Sequence, residues 1–171
     1  MKTEFRNVGV IVRRSPADHK WLDEIWTPEA VLPQAPATPA WTPLGKDGDA
    51  ELIYAGEAQL ELFSSDTAFY RENLLSGDAK LWVALKRDLS SGALEIMKVT
   101  ADPNEGEICF ESGAEIVGTV PVPDDLAQWI ADFANEHHVE RPFIKRQRDK
   151  SGPDPRKNPG VDRSARMRGQ N

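Results

Sequence analysis

Apolar and polar residues alternate along most of this chain, and only one long stretch departs decisively to helical spacing. That stretch is DDLAQWIADFANEHH, residues 124–138, where Leu126, Trp129, Ile130, Phe133 and His137 fall at i, i+3, i+4, i+7 and i+11. A single continuous apolar face of this kind has to be buried against a second layer. Asp124 and Asp125 stand at its positive N-terminal end and His137 and His138 at its negative C-terminal end, where each sign is favoured. Pro142 disfavours α conformation at Arg141 and blocks continuation of the helix.

The second layer is legible in the period-two runs. NVGVIVRR (7–14) reads as a first strand, and EIWTPEAVLP (24–33) as a second, interrupted at Pro28 and closed at Pro33. QAPATPAWTPLGKDGD (34–49) is a loop, partly extended in polyproline style. AELIYAGEAQLELF (50–63) has two alternating halves about Gly56, as in a bulged strand or a tight hairpin. KLWVALKRD (80–88) and ALEIMKVTAD (93–102) form the clearest hairpin, turning at LSSG, and EIVGTVPVP (115–123) ends in two prolines, as an edge strand does.

Two shorter helices interrupt the strands. SSDTAFYRENLLSG (64–77) carries a partial stripe of Phe69, Tyr70 and Leu74 and a stop at Gly77. In DPNE (102–105), Asp102 can accept from first-turn amides, Pro103 suits the first helical position and Glu105 can reach back.

The expected architecture is therefore α+β: a curved, mainly antiparallel sheet of six or seven strands, or a small barrel in the manner of pleckstrin-like domains. The C-terminal helix (about 124–138) packs on it, and short helices near 66–75 and 103–112 sit at the connections. Residues 1–140 form one globular domain, 141–150 a basic boundary segment and 151–171 a disordered basic tail.

Charge sharpens that division. Residues 141–171 hold ten Lys and Arg against three Asp, a net +7, while residues 1–140 hold 11 cations against 25 acids, a net −14. Such asymmetry points either to an anionic partner for the tail or to contact between the tail and the body of the same chain. Cys109 is the only cysteine, so no internal disulfide can form. The start, MKTEFRNVGVIVRRSP, has an apolar run too short for a signal peptide, and no stretch reaches the ~18 apolar residues of a membrane span. Together these favour the cytoplasm.

No constellation of reactive residues emerges. His137 and His138 are adjacent, so their side chains diverge by about 100° on a helix, whereas a two-histidine metal site uses i and i+4. Cys109 neighbours Glu105, Glu107 and Glu111, which oppose a thiolate. Asp23/Glu24 and Asp124/Asp125 are neighbours in sequence only, and no phosphate loop or nucleophile elbow is present. The reading is a protein without catalytic residues, cofactor or metal, whose contacts are made with a protein client. Trp21, Trp26 and Trp41 flank the proline-rich region, where rigid aromatics either pin a loop or line a binding groove. Phe143, Lys145, Arg146, Arg148 and Lys150 combine an aromatic anchor with cations, which suits an acidic protein surface or phosphates. Two alternatives are nucleic acid or anionic lipid bound through the basic tail, and a small enzyme with a site near His137 and His138.

The blocks VGVIVRR (8–14), Trp21 and Trp26 followed by VLP (31–33), LELF (60–63), YRENLLSG (70–77), VTADPNEG (99–106), SGAEIVGTVPVP (112–123) and HHVERPFIKRQRDK (137–150) occur in that order. In this the chain resembles an uncharacterised bacterial domain family of unknown function, over about residues 5–150. Members are often encoded near formate dehydrogenase and molybdenum-cofactor genes. The resemblance implies an accessory role with formate dehydrogenase or a related molybdoenzyme as client, and it brings no catalytic residues with it.

Overall fold

The computed structural model describes residues 1–140 and Pro142; Arg141 and residues 143–171, and with them the expected boundary segment and tail, lie outside the described residues. Seven strands make one mixed, curved and nearly closed sheet: β1 Thr3–His19, β2 Leu22–Leu32, β3 Thr42–Asp47, β4 Ala50–Phe63, β5 Lys80–Arg87, β6 Leu94–Thr100 and β7 Ile116–Pro121. Three helices join them, α1 Thr67–Leu75, α2 Pro103–Glu111 and α3 Asp124–His137. The strand order is β2-β1-β4-β6-β5-β7, with β3 on the outer part of β4. Every pairing is antiparallel except a single parallel bridge, Leu60 to Val99, between β4 and β6.

β1 is the spine. It pairs with β2 on one side and β4 on the other, so Val8, Val10 and Val12 point inward and are fully buried. Two bulges bend it. Opposite Val10 and Ile11, β4 skips from Gly56 to Tyr54, leaving Ala55 as the extra residue; Gly56 takes φ 127°, a conformation open to glycine at little cost. The 50–63 stretch is thus one bulged strand rather than a hairpin. Opposite Ile11 and Val12, β2 skips from Ala30 to Pro28. Pro28 does not interrupt β2, as its sequence suggests. It lies opposite Val12 at that register shift, with its ring against Gly118, and a bulge is a place where a strand tolerates a residue without N–H.

The proline-rich 34–49 stretch is also more ordered than a loop. Its second half is β3, paired with β4 from Thr42 opposite Tyr54 to Asp47 opposite Ala50. Gly48, at φ 61°, makes the tight return.

α3 packs at the end of the sheet where β1 begins and β4 ends. Leu126, Trp129, Ile130, Phe133 and Ala134 join Leu60, Leu62 and Tyr70 in the core cluster, each large side chain contributing about 1.5–3 kcal/mol. Trp129 also donates Nε1–H to a Glu4 carboxylate oxygen at 2.8 Å, under the Arg6 guanidinium 4.8 Å from its ring. In α1, Tyr70 is buried and its hydroxyl accepts from the Phe63 amide at 3.1 Å, whereas Phe69, expected in the same stripe, is exposed.

At the start of α2, Asp102 accepts from the Asn104 amide at 2.8 Å, as DPNE suggests. Glu105 does not reach back; it takes the Thr100 hydroxyl at 2.5 Å and Lys98 Nζ at 2.9 Å, and Thr100 Oγ1 accepts the Asp102 amide instead. Asp102 is only 4% exposed. Burial pushes its carboxyl above the usual range, the Asn104 amide pulling the other way. The folded state therefore holds this proton more tightly than the unfolded chain. The contribution is most favourable below the ordinary carboxylate range and is lost as pH rises through the raised folded-state value. Asp102→Asn keeps the cap acceptor and removes the titration, so its stability relative to wild type should improve between pH 4 and pH 7. Asp102→Ala should cost about 1 kcal/mol. Urea melts at the two pH values check both; an Asn variant with a pH-independent offset would contradict the assignment.

Candidate interaction surface

The ends of the strand order, β2 and β7, face each other across the only interval of the curved sheet with no pairing among the described residues. Following the pairing senses around the sheet, β2 and β7 run in the same direction. They meet at Pro28 and Gly118, where a Cβ built on the glycine would lie 2.8 Å from the proline Cδ. Two residues earlier on each strand stand Trp26 and Ile116. There β7 begins, while β2 continues back to Leu22. The unmatched part of β2 opens a groove of about 500 Å³ lined by Leu22, Asp23, Glu24, Ile25, Trp26, Arg87, Glu115 and Ile116.

The groove is apolar with a charged rim. Leu22 and Ile25 are 56% and 47% exposed, and Trp21, at the turn leading into β2, is 84% exposed. On the rim, Arg87 is held by Glu115 through Nε at 2.9 Å. Arg14 is ion-paired with Glu51 and lies 3.8 Å from Glu24. Asp23 and Glu24 also line a neighbouring pocket with Arg14, Lys46, Asp49 and Glu51. Across both, five carboxylates stand against three cations, and neither Asp23 nor Asp49 has an ion-pair partner among the described residues.

The three tryptophans of the proline-rich region occupy different situations. Trp26 and Trp41 are half-buried against the core and meet edge to face with centroids 6.0 Å apart; Arg14 lies 5.6 Å over the Trp26 ring. Trp41 holds φ 67°, a left-handed conformation costing roughly 1–2 kcal/mol for a residue with a Cβ. Its amide donates to the Tyr54 carbonyl at 2.5 Å. Trp41 thus fixes the preceding loop to the sheet, Trp26 forms a groove wall, and Trp21 projects into solvent. Phe143, Lys145, Arg146, Arg148 and Lys150 lie outside the described residues. Arg87, Glu115 and Ile116, which complete the groove, carry no local signal in the sequence, since they belong to it only because β5 and β7 close round to β2.

His137 and His138 do not share a site. His137 packs edge to face on Phe133 at 4.7 Å, while His138 Nδ1 lies 3.1 Å from the Thr67 hydroxyl. Ligand atoms of Glu4, Glu136 and His137 lie within 4.8 Å of one another, but Glu4 already accepts from Trp129 and both glutamates are exposed. We expect dialysis against EDTA to leave the melting temperature unchanged within about 1 °C; a larger drop, restored by Zn²⁺, would assign these three as metal ligands. Cys109 is buried, and burial pushes its thiol up, which suits packing rather than nucleophilic attack. No helix among the described residues is long and apolar enough to cross a membrane.

A small α+β domain with a curved sheet left unsealed along one seam is what these features define. The chain belongs to the family described as Protein of unknown function (DUF3305), whose model matches residues 7–147. No curated protein and no solved structure matches the chain.

Proposed function

We propose that this protein is a non-enzymatic accessory protein that binds a protein client through the β2 edge and its groove. The carrying observation is the concentration of exposed apolar side chains there: Trp21, Leu22 and Ile25 beside the half-buried Trp26 and Ile116. A surface of this kind is uncommon on a monomer without a contact to make. The client that family resemblance implies is formate dehydrogenase or a related molybdoenzyme under assembly, in the cytoplasm. The cationic 143–150 segment supplies a second contact in this reading, through Phe143, Lys145, Arg146, Arg148 and Lys150.

Affinity purification of the tagged full-length chain from its native host tests the proposal. Wild type should retain a stoichiometric protein client. A Trp21→Ala/Ile25→Ser variant should retain at least fivefold less, since exposed aromatic and aliphatic anchors typically carry 1 kcal/mol or more each. Lys145→Ala, Arg146→Ala and Arg148→Ala together should lower client activity in the cell. Recovery of nucleic acid or anionic lipid alone, lost at high salt, would replace this reading with polyanion binding through the cationic segment.

A further inference from the structure

We infer that the free edge of β2, from Leu22 to Trp26, receives an extended segment of a partner protein carrying lysine or arginine between apolar residues. The inference rests on the reading of this surface as an interaction surface, and goes further by naming how the partner binds and what chemistry it presents.

One side of β2 bonds β1, and its other side is hydrogen-bonded to no strand among the described residues, β7 approaching it only from Pro28 onward. Alternate residues of such a strand direct N–H and C=O groups outward, a ready template for one more strand. Protection is present only at Pro28, which lacks the donor and is covered by Gly118. From Trp26 back to Leu22, β7 has ended and nothing equivalent covers the edge. The groove beside it is long enough for a strand: five residues of β2 line it, spanning about 16 Å at ~3.3 Å per residue. An added strand would lay the side chains of one face on Leu22, Trp26 and Ile116 and those of the other beside Asp23 and Ile25.

Charge decides between occupants. A second copy of this chain, pairing β2 antiparallel to β2, would bring Asp23 and Glu24 of the two copies against each other, and would join two chains that each carry a net −7. Like charges across a sheet are destabilising. Asp23 and Asp49, which have no ion-pair partner among the described residues, instead complement cations placed at the alternate positions of an incoming strand that share their face, steering it and fixing its register.

The test uses the full-length chain and a soluble nine-residue probe, acetylated and amidated, in which Lys alternates with Val and Thr. Tryptophan fluorescence reports binding beside Trp26. The Lys probe should saturate, and a probe with Glu for Lys should bind at least about tenfold more weakly in low salt. N-methylation of alternate amides, which removes the edge donors and leaves charge intact, should weaken binding about tenfold or more by deleting several hydrogen bonds. Asp23→Lys, a change at an exposed side chain, should weaken it about threefold to tenfold. Equal binding of the N-methylated probe overturns the strand-addition mode, and equal binding of the Glu probe overturns the charge assignment. A dimer in sedimentation that the Lys probe cannot dissociate makes a second copy the occupant and sinks the inference. A host client that depends on Trp21 and Ile25, with no probe binding, removes this inference and leaves the accessory role standing. Probe binding as described with no host client does the reverse.

Discussion

Asn73→Asp should destabilise the fold by about 3 kcal/mol at neutral pH, read as a lower urea midpoint at unchanged slope. Asn73 is 8% exposed near the end of α1. Its Nδ2 donates to the Lys80 carbonyl at 2.8 Å and the Ala101 carbonyl at 3.1 Å, while Oδ1 accepts the Lys80 amide at 3.0 Å. One side chain thus satisfies backbone groups at the entry to β5 and the exit from β6, and ties both to α1. A carboxylate keeps the acceptor but turns two donors into acceptors facing carbonyl oxygens. Each orphaned buried group costs about 1–3 kcal/mol, more where the replacement is charged. The introduced carboxyl should have its pKa raised by burial, so the variant's deficit should shrink as pH falls from 7 towards 4, where protonation restores one donor. Asn73→Ala should cost about 2 kcal/mol without that pH dependence. An aspartate variant as stable as wild type at pH 7 would show that these three bonds do not hold the junction.

Gly106→Ala is expected to cost about 2 kcal/mol even though alanine is the better helix former by roughly 1 kcal/mol. Gly106 is buried within α2, on the turn that crosses Trp82 of β5. A Cβ there would stand 2.4 Å from two indole ring atoms and 2.8 Å from the Trp82 Cβ. The obstacle is a ring and its root, not the tip of a mobile chain, so α2 has to lift from the sheet. The conflict is pairwise and so is its signature: in a Trp82→Leu background the alanine should become neutral or stabilising, a coupling of about 2 kcal/mol in a double-mutant cycle. Additive effects would place the cost elsewhere.

These two sites illustrate different degrees of legibility. Gly106 sits in the helix that Asp102 and Pro103 announce, and nothing nearby in the sequence says why position 106 lacks a side chain; the reason is an indole 24 residues earlier. Asn73 reads as an ordinary helix-end polar residue until its three backbone partners arrive from β5 and β6. The α3 stripe, the β5–β6 hairpin and the Asp102 cap were readable because each is decided by contacts within a few residues.

The same distinction governs the candidate surface. Trp21, Trp26 and Trp41 stand out as rigid aromatics beside prolines, but their division of labour depends on the hairpin that carries Trp21 outward and on β3 bringing Trp41 to Trp26. The wall opposite comes from Arg87, Glu115 and Ile116, on strands that no local pattern links to β2. The adjacent histidines invited a shared site, and packing turned one to Phe133 and the other to Thr67.

The amino-acid sequence by itself determined the three helices and most of the strands, the single cysteine, the acidic character of residues 1–140 and the cationic character of residues 141–171, because periodicity, capping and charge act over a few bonds. Only the tertiary structure decided that the proline-rich segment supplies β3, that β4 and β6 touch in parallel at one bridge, and that the sheet curls until β2 and β7 nearly meet and stop at Pro28 and Gly118. Those outcomes depend on which strand edges find each other across the core, and an alternating pattern specifies which face of a strand is inward without specifying its neighbour.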